Sequence, residues 1–183
     1  KYHYLSWVAA ASLIGYDLSW QEYLPLKSTG NTETVQYLCE RSGKEVDEES
    51  FQRMRATKLS EFDRLVADLS EKDILPGIQD FLTWLNEQGV KTAVASSSGT
   101  SSVLAKRFGL TKHFQAFVDG NMKLPRKPAP DAFLLAAKML GADPCDCIVF
   151  EDSLAGIDAA RNAGMPVVAV GGIRSDKAVL HIQ

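Results

Sequence analysis

Three short runs in this chain hold residue types that could do chemistry on a phosphate. Ser96-Ser97-Ser98-Gly99-Thr100 gathers hydroxyls and free backbone N–H groups just ahead of an expected helix, whose positive dipole end favours an anion. The plainer alternative is a polar loop in which Ser98 or Thr100 caps the helix. Leu124-Pro125-Arg126-Lys127-Pro128-Ala129-Pro130-Asp131 restricts φ at three positions and presents Lys127 from a stiff backbone, where it could neutralise a phosphoryl group. A solvated lysine in a proline turn is the alternative, with Asp131 as first-turn acid or cap of the next helix. Glu151-Asp152-Ser153 follows the apolar run Cys147-Ile148-Val149-Phe150, and adjacent carboxylates there are costly unless a cation or hydrogen bonds meet them. Oxygen-only ligands suit Mg²⁺ paired with phosphate. Here the alternative is a capping Asp152 or Ser153 beside a solvated Glu151. Gly156 costs about 1 kcal/mol of helix stability relative to Ala, so it marks close packing or close ligand approach.

The elements that must position these runs follow from periodicity. Residues 1–73 read as a helical bundle. A helix runs from Lys1 to a Gly15 cap and a second from Trp20 behind Ser19. A third starts at Asn31 or Thr32, and a long fourth, capped by Asp47, carries Phe51, Met54, Phe62 and Val66 on one face. From residue 74 onward helices alternate with short apolar strands: Thr92–Ala95, Phe114–Val118, Cys147–Phe150 and Val167–Val170, with strand texture again at Val179 to Ile182. Such strands indicate a doubly wound parallel α/β sheet covered on both faces, and ligands sit beyond the carboxyl ends of its strands. All three runs fall there. Trp7, Trp20 and Trp84 read as packing residues, and His113 and His181 as loop, surface or strand positions without a catalytic role.

Composition excludes other classes. The 183 residues are 45% hydrophobic with a formal charge of -3, enough for a core and too balanced for a nucleic-acid surface. No apolar run approaches the roughly 20 residues that span a bilayer, and no leader opens the chain. Neither a nucleic acid nor a membrane is therefore expected as partner. Cys39, Cys145 and Cys147 have neither zinc spacing nor a disulfide framework, which suits a reducing cytoplasm. The sequence carries no oligomerisation signature.

These motifs, over essentially the whole chain, resemble the haloacid dehalogenase superfamily, specifically its β-phosphoglucomutase-like phosphatases and phosphomutases with a helical cap. Val94-Ala95-Ser96-Ser97-Ser98 is similar to the family's second motif, Lys127-Pro128-Ala129-Pro130-Asp131 to its third, and Val149 to Ser153 with Ala155-Gly156-Ile157 to its fourth. The resemblance implies that Ser96, with Ser97 and Ser98, binds the phosphoryl group, that Lys127 neutralises it, and that Glu151 and Asp152 hold Mg²⁺. It implies that His3, in Tyr-His-x-x-x-Trp, lies at a cap hinge and that Lys58 points at a substrate phosphate. The mutases' cap-loop arginine is replaced by Asn31 in Lys-Ser-Thr-Gly-Asn-Thr, which favours a phosphatase acting on a small sugar phosphate or similar metabolite over a mutase.

The family's first motif, an apolar strand ending in Asp-x-Asp with the nucleophile, has no counterpart in the 183 residues. The resemblance implies that this central strand lies upstream, roughly 15 to 20 residues by typical strand and loop lengths. Two-step transfer through an aspartyl-phosphate is expected of the intact parent, and no turnover of the chain as written. A catalytically inactive binding module is the competing expectation.

Overall fold

A computed structural model describes residues 1–27, 29–45 and 47–182. Ser28, within the Lys27 to Thr32 segment, lies outside the described residues. The chain divides into two compact units, Lys1–Asp68 and Leu69–Gln183, a few residues before the expected change at 73/74.

The first unit is helical: α1 (Tyr2–Ser12), α2 (Trp20–Tyr23), α3 (Asn31–Ser42) and α4 (Glu48–Val66). Its starts are specified locally. Ser19 and Glu22 form a reciprocal capping box on α2, and Asp47 accepts the Ser50 N–H at 2.8 Å ahead of α4. Gly43 ends α3 at φ 65°, a conformation that costs glycine little. Trp7, Ala10 and Ala11 of α1, Val35 and Leu38 of α3 and Met54 of α4 close one core. Small alanines on α1 let α4 approach it closely.

The second unit alternates α5 (Ile78–Glu87), β1 (Ala93–Ala95), α6 (Ser101–Arg107), β2 (Ala116–Val118), α7 (Asp131–Leu140), β3 (Val149–Glu151), α8 (Leu154–Asn162), β4 (Val167–Val170) and β5 (Leu180–Ile182). Every strand pair is parallel, with Ala95 opposite Val118, Glu151 opposite Ala169, and Val168 opposite Leu180. The expected sheet is hydrogen-bonded as two pieces, β1-β2 and β3-β4-β5. One core nonetheless serves both. Phe133 and Ala137 of α7 cluster with Val149, Ile157, Ala160 and Val167, and Ala95 packs against that cluster. Helix α7 packs on β1 and β2, and α8 on β3 and β4.

Three expectations are corrected. Strand β3 starts two residues later than expected and ends one later, because Pro144–Asp146 forms a 3₁₀ turn and Cys147 bonds back to Pro144, so Glu151 is a strand residue. His113 is interior, at 5% exposure: its carbonyl accepts the Thr92 hydroxyl, and its Nδ1 lies 3.3 Å from Asn86 Nδ2. Trp84 is 54% exposed and stacks on Phe81, whose ring meets the exposed Phe150 edge-on, leaving an open apolar row along α5 and β3.

Candidate functional site

The carboxyl end of β3 holds a hydrogen-bonded line of ionic and polar groups. Lys127 Nζ donates to Glu151 Oε2 at 2.7 Å, and the Ser153 hydroxyl donates to Glu151 Oε1 at 2.7 Å. Ser153 in turn accepts the Gly156 N–H at 3.1 Å as N-cap of α8. The Lys127 and Glu151 side chains are only 11% and 9% exposed, so neither the solvated-lysine nor the solvated-glutamate reading survives. The capping role of Ser153 does, alongside its bond to Glu151. Lys127 also lies 4.6 Å from the Phe133 ring centroid, a cation–π placement that shares the burden of desolvating the ammonium.

Local sequence explains why the line forms. Ala129 N–H bonds to Arg126 O, turning the chain over the cis Lys127–Pro128 bond, and Asn162 of α8 donates to Pro128 O at 2.9 Å. Asp131 sits in the first turn of α7. Gly156 is required sterically: a Cβ there would stand 2.0 Å from Glu151 Cδ. Of the two readings of Gly156, close packing is the one realised, and its partner is the ion-paired carboxylate.

The hydroxyl loop begins where β1 ends. Ser96 N–H bonds to Val118 O at 2.8 Å, continuing the ladder with β2. The Ser96 hydroxyl oxygen accepts Ser98 N–H at 3.1 Å, and Ser98 Oγ lies 2.8 Å from Thr100 Oγ1. Ser96 and Ser98 are half-buried and Ser97 is exposed. Thr100 is the N-cap residue of α6 but makes no side-chain cap bond. The structure also places Asp119, Gly120 and Asn121, after β2, directly against this loop. Asp119 and Asn121 carry no motif of their own in the sequence beyond the turn signal of Asp-Gly-Asn.

Asp152 is exposed beside Glu151 at the end of β3. Among the described residues no group of three or more His, Cys, Asp or Glu side chains gathers that could enclose a metal. Two adjacent carboxylates nevertheless fit Mg²⁺, which keeps several waters and takes one or two protein carboxylates together with substrate phosphate. Glu151 has hydrogen bonds to both of its oxygens and is buried, whereas Asp152 is the solvent-exposed member of the pair.

Within the helical unit, Lys58 and His3 share one aromatic cluster. Lys58 is a buried cation on α4, with Nζ 5.1 Å from the Phe62 ring and 5.9 Å from Trp7; burial lowers its pKa below the usual lysine value. The His3 ring stacks on Phe62 with centroids 4.2 Å apart. Asn31 opens α3. Among the described residues no helix is long and apolar enough to cross a membrane.

Parallel strands thus carry a hydroxyl loop, a buried lysine and adjacent carboxylates at or just beyond their carboxyl ends, donors and charges of the kind that suit a phosphorylated ligand. The chain belongs to the haloacid dehalogenase-like hydrolases, whose family model matches residues 3–164. Within that family it sides with the β-phosphoglucomutase-like members. It is 33% identical to the β-phosphoglucomutase of Bacillus subtilis (strain 168) over 93% of this chain and 76% of that protein. With a fructose-1-phosphate phosphatase of Escherichia coli (strain K12) it shares 37% identity over 56% of this chain and 54% of that one. The crystal structure of a Clostridium difficile β-phosphoglucomutase superposes on the whole chain with a TM-score of 0.88 at 31% identity, covering 83% of that chain.

Proposed function

We propose that this chain carries the phosphate- and metal-binding side of a Mg²⁺-dependent phosphatase for a small phosphorylated sugar or similar metabolite. The observation that carries this reading is the buried Lys127–Glu151–Ser153 line at the end of β3. A lysine ammonium held this way has further N–H donors to offer a phosphoryl oxygen. Ser96 accepts Ser98 N–H, so its own proton is directed to another acceptor, and a phosphoryl oxygen is the natural one. Asp152 with Glu151 would hold Mg²⁺, which when bound would neutralise charge on the transferring group. The helical unit acts as the cap, with Lys58 meeting a substrate phosphate and His3 at the hinge. The nucleophile belongs to an apolar strand ending in Asp-x-Asp that pairs with the free edges of β1 and β3; that strand is not among these 183 residues. A mutase is the second reading, favoured by the likeness to β-phosphoglucomutases and opposed by Asn31.

The test is a chain extended by that strand, assayed for phosphate release from a sugar-phosphate panel with and without Mg²⁺. Release is expected to need Mg²⁺ and to fall by about a hundredfold or more in Ser96→Ala and Asp152→Ala. Unchanged release in Asp152→Ala overturns the metal assignment. Transfer within one sugar, without net release, selects the mutase.

A further inference from the structure

The hydroxyl loop is held both from within and from a neighbouring turn. Among its own residues, Ser98 and Thr100 N–H groups reach hydroxyl oxygens at 3.1 and 3.3 Å, Ser98 Oγ lies 2.8 Å from Thr100 Oγ1, and the Ser101 hydroxyl reaches Ser98 O at 3.2 Å. The remaining anchors come from the turn after β2. Gly120 N–H donates to Ser98 O at 3.3 Å, and Asn121 Nδ2 donates to Gly99 O at 2.9 Å. Asp119 Oδ1 accepts Asn121 N–H at 3.0 Å, while its Oδ2 accepts the Ser102 hydroxyl at 3.1 Å, so one carboxylate bridges the turn to α6. Contact is close enough that a Cβ at Gly120 would collide with backbone and one at Gly99 would push the Asn121 carboxamide aside. At Gly120 it would stand 2.4 Å from Ser97 O and 3.0 Å from Gly99 N, and at Gly99 it would stand 2.7 Å from Asn121 Oδ1. Neither glycine adopts a left-handed φ, so the demand is for space alone.

We propose that Asp119 and Asn121 are positioning residues: the Asp119–Gly120–Asn121 turn clamps residues 96–102 and fixes the Ser96 and Ser98 groups for a phosphoryl anion. This rests on the reading of the hydroxyl loop as the phosphate site. Carboxylate and carboxamide act only through the loop. Asn121 spans it from above Gly99, and Asp119 keeps Asn121 and α6 in register. Preorganised donors of this kind lose their advantage when the supporting contacts loosen.

Amide exchange and inorganic phosphate titration, both followed by NMR on the full 183-residue chain, test the clamp. In Asn121→Ala, exchange at Ser98 and Thr100 is expected to rise about tenfold and phosphate affinity to fall by a similar factor. Protection of the β1-β2 ladder, read at Ser96 N–H, stays at its wild-type level, which separates positioning from unfolding. Gly99→Ala drives Asn121 off the loop and reproduces the same losses; Gly99→Ala with Asn121→Ala removes the clash and is no worse than Asn121→Ala alone. Asn121→Ala with exchange and phosphate affinity within about twofold of wild type overturns the proposal. Should wild type bind no phosphate at this loop, the phosphate-site reading fails, while the exchange rates still decide whether the turn positions the loop.

Discussion

Replacing Lys127 by methionine strands a buried charge. The pair is short, 2.7 Å, with both side chains about nine-tenths covered, so Glu151 in Lys127→Met keeps only the Ser153 hydroxyl as a strong partner. Removing one member of a buried ion pair costs about 3–5 kcal/mol, because the survivor keeps its desolvation penalty without its counter-charge. The retained Ser153 bond, worth about 1.5–3 kcal/mol as a hydrogen bond to a charged group, places the expected loss at the low end, about 3 kcal/mol. Hydrogen exchange at the buried Val167, Val168 and Ala169 amides reports opening of the second unit, where about 3 kcal/mol is a rise of roughly two orders of magnitude in rate. Pairing Lys127→Met with Glu151→Met removes both charges and restores most of the loss, since an apolar pair of similar volume is often neutral or better. A loss below about 1 kcal/mol in the single variant, or an additive double, would refute the buried-pair account.

Gly156→Ala gives a result whose sign is diagnostic. In an open helix Ala is favoured by about 1 kcal/mol, yet here its Cβ meets Glu151 Cδ, so a net loss of about 1–3 kcal/mol is expected by the same exchange measurement. A gain would show that Glu151 can move aside without cost. In the helical unit, Glu22 is drawn down to about 2 by hydrogen bonds from the Ser19 hydroxyl, Tyr16 and the Ser19 backbone. A depressed carboxylate stabilises the fold fully above its ordinary value of 4.5 and loses that contribution as pH falls toward about 2. Thermal melts should therefore steepen across that acid window, and Glu22→Gln should flatten the profile; parallel profiles for the two proteins refute the assignment.

Local signals carried much of the architecture. Ser19, Asp47 and Gly43 announce helix ends because capping is a short-range matter, and the apolar runs at Val149 and Val167 announce strands, although only the second is buried on both faces. The three chemical runs were legible as separate motifs. That Lys127 and Glu151 are each other's partner was not, because 24 residues separate them and only the packing of α7 and α8 brings them together. The same holds for Gly120 against Ser97, a contact made by neighbouring strands. His113 misled for a related reason: a lone polar residue in a turn gives no sign that Leu110 and Ala116 flank it in the interior. Trp84 misled in the opposite sense, since periodicity marks an apolar face without saying what covers it.

The open row of Phe81, Trp84 and Phe150 borders β3, which among the described residues pairs with β4 alone. A flat apolar edge with free N–H and C=O groups is a template for any extended chain that reaches it, including another molecule of the same sequence. Such pairing between molecules is second order, so it grows with concentration, and a charged side chain in place of Phe150 would blunt it.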